Sequence, residues 1–201
     1  MGLWLAAVPV VLASGSVVRR KLLEAAGIPV EVRPASLDER AVEAMARRDD
    51  PSAVAALLAR AKALRVAKDL PGRLVVGADQ TLALGNRRFD KPADRAAARA
   101  QLQALAGRTH ELHAAVAVVR GQEVLFEHVD VARLTTRPLS DAVLDRYLDA
   151  AGAALTASVG GYQVEALGVH LFERIEGDHF TILGLPLLPL LAYLRTEGSL
   201  A

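Results

Sequence analysis

Asp79 is the residue whose position most directly invites chemistry. It follows Leu74-Val75-Val76-Gly77-Ala78, a compact apolar run that reads as a buried strand. That places its carboxylate at or just past a strand end, where ligands of α/β proteins gather. A carboxylate there can hold a divalent cation or orient a water. A turn aspartate that merely caps the next segment fits the same pattern. Ser14-Gly15-Ser16 is the second such segment. It joins an apolar run to a helical stretch that carries Arg19 and Arg20 in its first turn. Free N–H groups and the partial positive charge of a helix N-terminus suit phosphate, and serine hydroxyls and an arginine fork add donors. A plain capped helix with solvated basic residues has the same appearance, and the Gly-x-x-x-x-Gly-Lys of a P-loop is absent.

Other polar residues are bland one at a time. Asp38-Glu39 reads as loop, Lys62 sits on a helical stretch, and Asp90-Lys91-Pro92 holds a lysine in an extended, stiff segment. Lys91 could reach a phosphate, although isolated surface charges usually contribute little. His110 and His113 have a His-x-x-His spacing inside a strand-like run, which reads as structural and not as a zinc site. No Gly-x-Ser-x-Gly elbow occurs, and there is no cysteine. Disulfides, thiolate catalysis and cysteine-ligated zinc are therefore excluded.

These residues need elements to position them. An apolar first strand is expected over Ala7–Ala13, followed by a helix over Val17–Ala26 that Ser14 or Ser16 caps and Gly27 ends. The opening MGLWLAAVPVVLASG has no Lys or Arg before its apolar run, so it does not read as a signal peptide. It is also shorter than the roughly 20 residues that cross a bilayer. A short strand is expected at Pro29–Val32. Arg40–Lys68 reads as two helices split near Asp49-Asp50-Pro51. The strand from Leu74 continues through Thr81–Leu84 to a turn at Gly85-Asn86. A helix over Ala93–Leu105, a hairpin of His110–Val119 and Val124–Val131 turned at Gly121, and a helix over Ser140–Ala150 follow. A loop opening at Gly160-Gly161, a strand over Val169–Ile175 and a helix over Pro186–Arg195 complete the chain.

Strands that alternate with helices, plus a hairpin, predict an α/β protein with a mixed sheet. Apolar residues make up 52% of the 201 and aromatics only 4%, so the core must be built from Leu, Val and Ala. Lys plus Arg number 24 against 23 Asp plus Glu, a net charge of +1. That balance disfavours a long polyanion as partner but leaves room for a small anion in a local basic pocket.

Taken in order, the segments resemble the Maf family. Leu12-Ala13-Ser14-Gly15-Ser16-Val17-Val18-Arg19-Arg20-Lys21-Leu22-Leu23 looks like its opening signature. Asp38-Glu39, the Ala61-Lys62-Ala63 helix, Val76-Gly77-Ala78-Asp79-Gln80, Lys91-Pro92 and Gly107-Arg108-Thr109-His110-Glu111 follow. Gly161-Tyr162 to Gly168, Glu173-Arg174-Ile175-Glu176-Gly177 and Leu183-Gly184-Leu185-Pro186-Leu187 close the pattern. The resemblance implies a mixed twisted β-sheet flanked by helices, with two lobes and a cleft, as in inosine triphosphatase-like proteins. It implies one domain over residues 1–201; the order of elements along the chain places a lobe boundary near 85–95 or 135–140. It also implies a cytoplasmic, often dimeric hydrolase that splits a nucleoside triphosphate into monophosphate and pyrophosphate with Mg²⁺ or Mn²⁺ and clears non-canonical nucleotides. A link to septum formation belongs to the family as well, and no membrane or nucleic-acid partner is expected.

Under that resemblance Ser14, Ser16 and Arg19 grip the triphosphate. Lys62 and Lys91 neutralise charge as pyrophosphate leaves, while Glu39 and Asp79 hold the metal and Asp79 serves as the base. Val18, Gln80 and Glu165 fall where subgroups of the family differ. Gln80 and Glu165 look like the subgroup acting on 7-methyl-GTP, whereas the dTTP/UTP subgroup tends to carry Thr and Gln there. A carboxylate can accept from both N1–H and the exocyclic amine of guanine. Val18 departs from both subgroups, which tend to carry Trp or Arg, and so removes a stacking surface for a cationic base. A purine or modified-purine triphosphate is thus favoured. The competing readings are a pyrimidine triphosphate, a non-enzymatic division regulator and a monophosphatase. The last would need an aspartate pair or a dense metal cluster, and no such motif is found.

Overall fold

Side chains alternate across the long central strand, and its two faces dictate the layers. The computed structural model describes residues 2–46 and 50–201. The chain begins with β1 (Val10–Leu12), α1 (Val17–Ala25), β2 (Val30–Val32), α2 (Glu39–Ala46) and α3 (Pro51–Ala67). Then come β3 (Leu74–Leu84), β4 (Arg87–Phe89), α4 (Arg95–Leu105), β5 (Thr109–Arg120) and β6 (Glu123–Thr136). The rest is α5 (Asp141–Ala151), α6 (Ala154–Ala157), β7 (Phe172–Glu176), α7 (His179–Ile182) and α8 (Leu187–Glu197), with 3₁₀ turns at Val159–Gly161 and Leu167–Leu171. The strands form one sheet in the order β2-β1-β3-β5-β6-β7, with β4 also on β3. β1 runs parallel to β2 and β3, and the remaining pairs are antiparallel. The mixed α/β architecture is the expected one.

On one face of β3, Leu74, Val76 and Ala78 pack with Leu23 of α1 and with Leu187, Leu190 and Leu194 of α8. Further along the same face, Leu82 joins Leu102 of α4 and Leu144 and Leu148 of α5. Gln80 lies between these two clusters. The opposite face belongs to α3. Val75 meets Ala63, Val66 and Ala67 there, and Ala115 and Ala117 of β5 meet Ala55 and Ala59. Small residues on both sides let α3 lie close to the sheet. A Cβ added at Gly77 would sit 2.1 Å from the Ala59 carbonyl oxygen, so only glycine fits.

Several boundaries differ from expectation. β1 is confined to Val10–Leu12, because β2 and β3 offer it register partners only there. Glu39 opens α2 and is not in a loop, since the Asp38 carboxylate accepts from the Ala41 N–H at 3.0 Å and starts the helix. Asp79 lies in mid-strand, not at a strand end: β5 pairs with β3 without a break from Leu74 to Ala83. The expected Val169–Ile175 strand begins as a 3₁₀ turn, and β7 starts only at Phe172. Asp50 caps α3 by accepting from the Ala53 N–H at 2.7 Å, with Pro51 in the first turn. Asp49 of the expected break lies outside the described residues. No helix among the described residues is long and apolar enough to cross a membrane.

Candidate active site

The site grows out of an interruption in the strand ladder. β3 is paired along one side by β5. On its other side β1 reaches only to Val76, and β4 begins only at Leu82. Residues 77–81 have no strand neighbour there. Asp79 and Gln80 occupy this interval and, being consecutive in a strand, point to opposite faces.

Asp79 points to the α3 side. Its Oδ1 accepts from Lys62 Nζ at 2.5 Å, and the same ammonium lies 2.8 Å from Glu39 Oε1. One lysine thus holds two carboxylates, with Asp79 buried, Lys62 mostly so and Glu39 about half exposed. Burial pushes the Asp79 carboxyl above the usual carboxylate range, against the pull of Lys62 and Arg19. Gln80 points the other way. Its Nε2 donates to the carbonyls of Thr181 and Ile182, at 3.0 Å each.

The loop from β1 into α1 forms one wall. Ser16 caps the helix by accepting from the Arg19 N–H at 3.3 Å, and Ser14 Oγ accepts from the Ser16 N–H at 3.2 Å. Arg19 reaches across the interruption. Its Nη1 donates to the Ala78 carbonyl at 2.8 Å and to Ser14 Oγ at 3.2 Å, and its Nε donates to the Gly184 carbonyl at 2.8 Å. Burial lowers its pKa, opposed by Asp79 and Glu39. Two of the three guanidinium nitrogens are thereby committed to the protein, and Nη2 is left for a ligand.

All ten residues singled out from the sequence line one cavity of about 910 Å³, a volume that suits a nucleotide-sized ligand. Lys91 is exposed beside Asp90, and Glu165 is exposed beside Val164. Val18 gives an aliphatic surface. The aromatic residues of the lining, Phe89 and Tyr162, are buried and present no open stacking face. The sequence reading missed Arg88 and Glu43, which pair at 2.7 Å in the lining and tie β4 to α2. Their separation along the chain conceals that contact, and the alternation of Arg87-Arg88-Phe89 is too short to announce a strand.

His110 and His113 lie outside the site chemistry. They face opposite sides of β5, so they cannot share an ion. His110 is buried with its Nε2 2.7 Å from the Tyr162 hydroxyl, and burial pulls its pKa down to about 4. His113 Nδ1 lies 2.8 Å from Ser52 Oγ. Among the described residues no group of three or more His, Cys, Asp or Glu converges as a metal site. Asp79 and Glu39 do converge on a single cationic atom. Two carboxylates with several positions left for phosphate and water is the donor set Mg²⁺ prefers, so the residues present fit such an ion bound together with a polyphosphate.

Fold and cleft together define a mixed α/β protein with a cleft in which two carboxylates meet at one ammonium. The family model described as Maf-like protein matches residues 9–197, and the chain belongs to that family. A nucleoside triphosphate pyrophosphatase of Rhodopseudomonas palustris (strain BisB18) is 59% identical over 201 residues, which covers 100% of both chains. A 7-methyl-GTP pyrophosphatase of Mesorhizobium japonicum is 52% identical over 193 residues, 95% of this chain and 97% of that one. The solved structure of a HAM1 protein from Coxiella burnetii overlaps 64% of this chain and 73% of its own, at 19% identity and a TM-score of 0.42.

Proposed function

We propose that the chain is a nucleoside triphosphate pyrophosphatase, which hydrolyses the anhydride between the α and β phosphates to give a nucleoside monophosphate and pyrophosphate. The observation that carries this reading is the convergence of Asp79 and Glu39 on Lys62 Nζ, in the cleft opened by the N-terminus of α1. The helix N-terminus and the Ser14 and Ser16 hydroxyls receive phosphate oxygens. Arg19 adds Nη2, its other nitrogens being fixed on carbonyls that hold it in place. Asp79 takes a proton from the attacking water. Lys62 and Lys91 stabilise the negative charge that gathers on the departing pyrophosphate. Asp79 and Glu39 would also hold a divalent cation, which supplies charge neutralisation at the phosphates and a more acidic water.

On the base side, the Glu165 carboxylate suits N1–H and the exocyclic amine of a guanine. Gln80 has only its carbonyl oxygen left to offer. This favours a purine or modified purine, with 7-methyl-GTP first. A cytoplasmic setting and a homodimer accompany the reading, with neither nucleic acid nor membrane as partner.

The test is pyrophosphate release by the purified chain with Mg²⁺ or Mn²⁺, from 7-methyl-GTP, GTP, dTTP, UTP and CTP, beside Asp79→Asn. Turnover that the variant abolishes supports the enzyme, and 7-methyl-GTP as best substrate supports the base assignment. If dTTP or UTP is preferred, the mechanism survives and the base assignment fails. No pyrophosphate, or a variant equal to the parent, overturns the enzyme in favour of a division regulator.

A further inference from the structure

We infer that Gln80 is a positioning residue, whose side-chain amide builds one wall of the cleft by capping the carboxyl end of α7. The inference rests on the cleft being a nucleotide site. α7 has four residues, His179–Ile182, and a helix of one turn has no intrinsic stability. Its ends must be satisfied from elsewhere. Asp178 does so at the start, accepting from the N–H groups of Phe180 and Thr181. At the other end the carbonyls of Thr181 and Ile182 receive both donors of Gln80 Nε2 at 3.0 Å. One residue further on, the Gly184 carbonyl receives Arg19 Nε at 2.8 Å. Gly184 holds φ +88, and a Cβ there would lie 3.3 Å from Arg19 Nη2 and 3.5 Å from Gln80 Oε1. The turn therefore rests directly on these two side chains.

Ile182 and Leu183 of this turn line the cleft. Gln80 thus acts on the nucleotide through the wall it holds, and its own donors read nothing. Two carbonyl acceptors also fix which end of the amide is nitrogen, since an oxygen there would face both at close range. A strand that alternates faces joins the two tasks: Asp79 serves the carboxylate pair on one side, and its neighbour anchors the opposing wall on the other.

Two substitutions separate positioning from direct reading of the base. Gln80→Glu keeps an acceptor but sets a carboxylate against two carbonyls, and Gln80→Leu removes both functions without the repulsion. Amide hydrogen exchange of the whole, ligand-free chain reads the turn at Leu183, Gly184 and Leu185, whose N–H groups bond back to His179, Thr181 and Phe180. Positioning predicts that exchange there quickens about thirtyfold in Gln80→Leu, the scale of two lost hydrogen bonds, and more in Gln80→Glu. It also predicts that KM rises for every nucleotide in both variants, again more in Gln80→Glu. The inference is overturned if exchange stays at the parent rate, or if Gln80→Glu keeps parent kinetics while Gln80→Leu alone changes base preference. Exchange needs no turnover, so a chain that releases no pyrophosphate would sink the proposed activity and still leave this wall testable.

Discussion

With Lys62 removed, Asp79 and Glu39 would face one another with no cationic side chain between them. Lys62→Met keeps an unbranched side chain, one atom shorter, and deletes the charge. Pyrophosphate release at saturating nucleotide should fall about 100-fold, the cost of losing one preorganised charge contact, and Lys62→Arg should recover part of it. A methionine variant with the parent kcat would remove Lys62 from the mechanism. At this scale the sequence named the participants but not their partners. Lys62 and Asp79 are 17 positions apart, Gln80 and its two carbonyls 101 and 102, Arg19 and Gly184 165. Residue type predicts the capacity to bond, whereas only folding selects the partner. Ser16 is the exception, because its cap is local and follows from position alone.

Among the elements, α3 depends on the absence of one side chain. Gly77→Ala would drive a methyl into the Ala59 carbonyl and push α3 off the sheet. Overpacking of this kind costs about 3 kcal/mol, to be measured as a lower midpoint in urea unfolding. An unchanged midpoint would mean that α3 can shift at no cost. Long periodic elements were legible before the structure. The β5–β6 hairpin turned at Gly121 as expected, and α1, α4 and α5 carry side-chain caps at Ser16, Asp94 and Ser140. The short pieces were not: β4, α6 and α7 have three or four residues each, too few for any period, and tertiary contacts, with the Asp178 cap for α7, make them regular.

For the molecule as a whole, the buried His110 couples stability to pH. Unfolded, it titrates near 6.5, and folded near 4. Above pH 6.5 both states are neutral and its full contribution is present. As pH falls from 6.5 to about 4 the unfolded chain takes the proton first, and about 3 kcal/mol is lost. His110→Gln keeps a partner for the Tyr162 hydroxyl without titrating. Urea unfolding between pH 7 and 4 should therefore show a shallower loss in the variant, and parallel curves would contradict this account. The alternation of strands and helices predicted the mixed sheet, but the placement of the cleft depended on something no local pattern encodes: where β1 stops and β4 starts. That interruption has a second consequence. Open strand edges invite other chains to add to them and aggregate. Here the unpaired edge is residues 77–81, roughly 17 Å at about 3.3 Å per residue. A seated strand closes each end, and Arg19 holds the Ala78 carbonyl in between. A small anion can enter such a slot, whereas an intruding strand would have to pull Arg19 off the Ala78 carbonyl and fit between β1 and β4, so the fold keeps a reactive edge without becoming sticky.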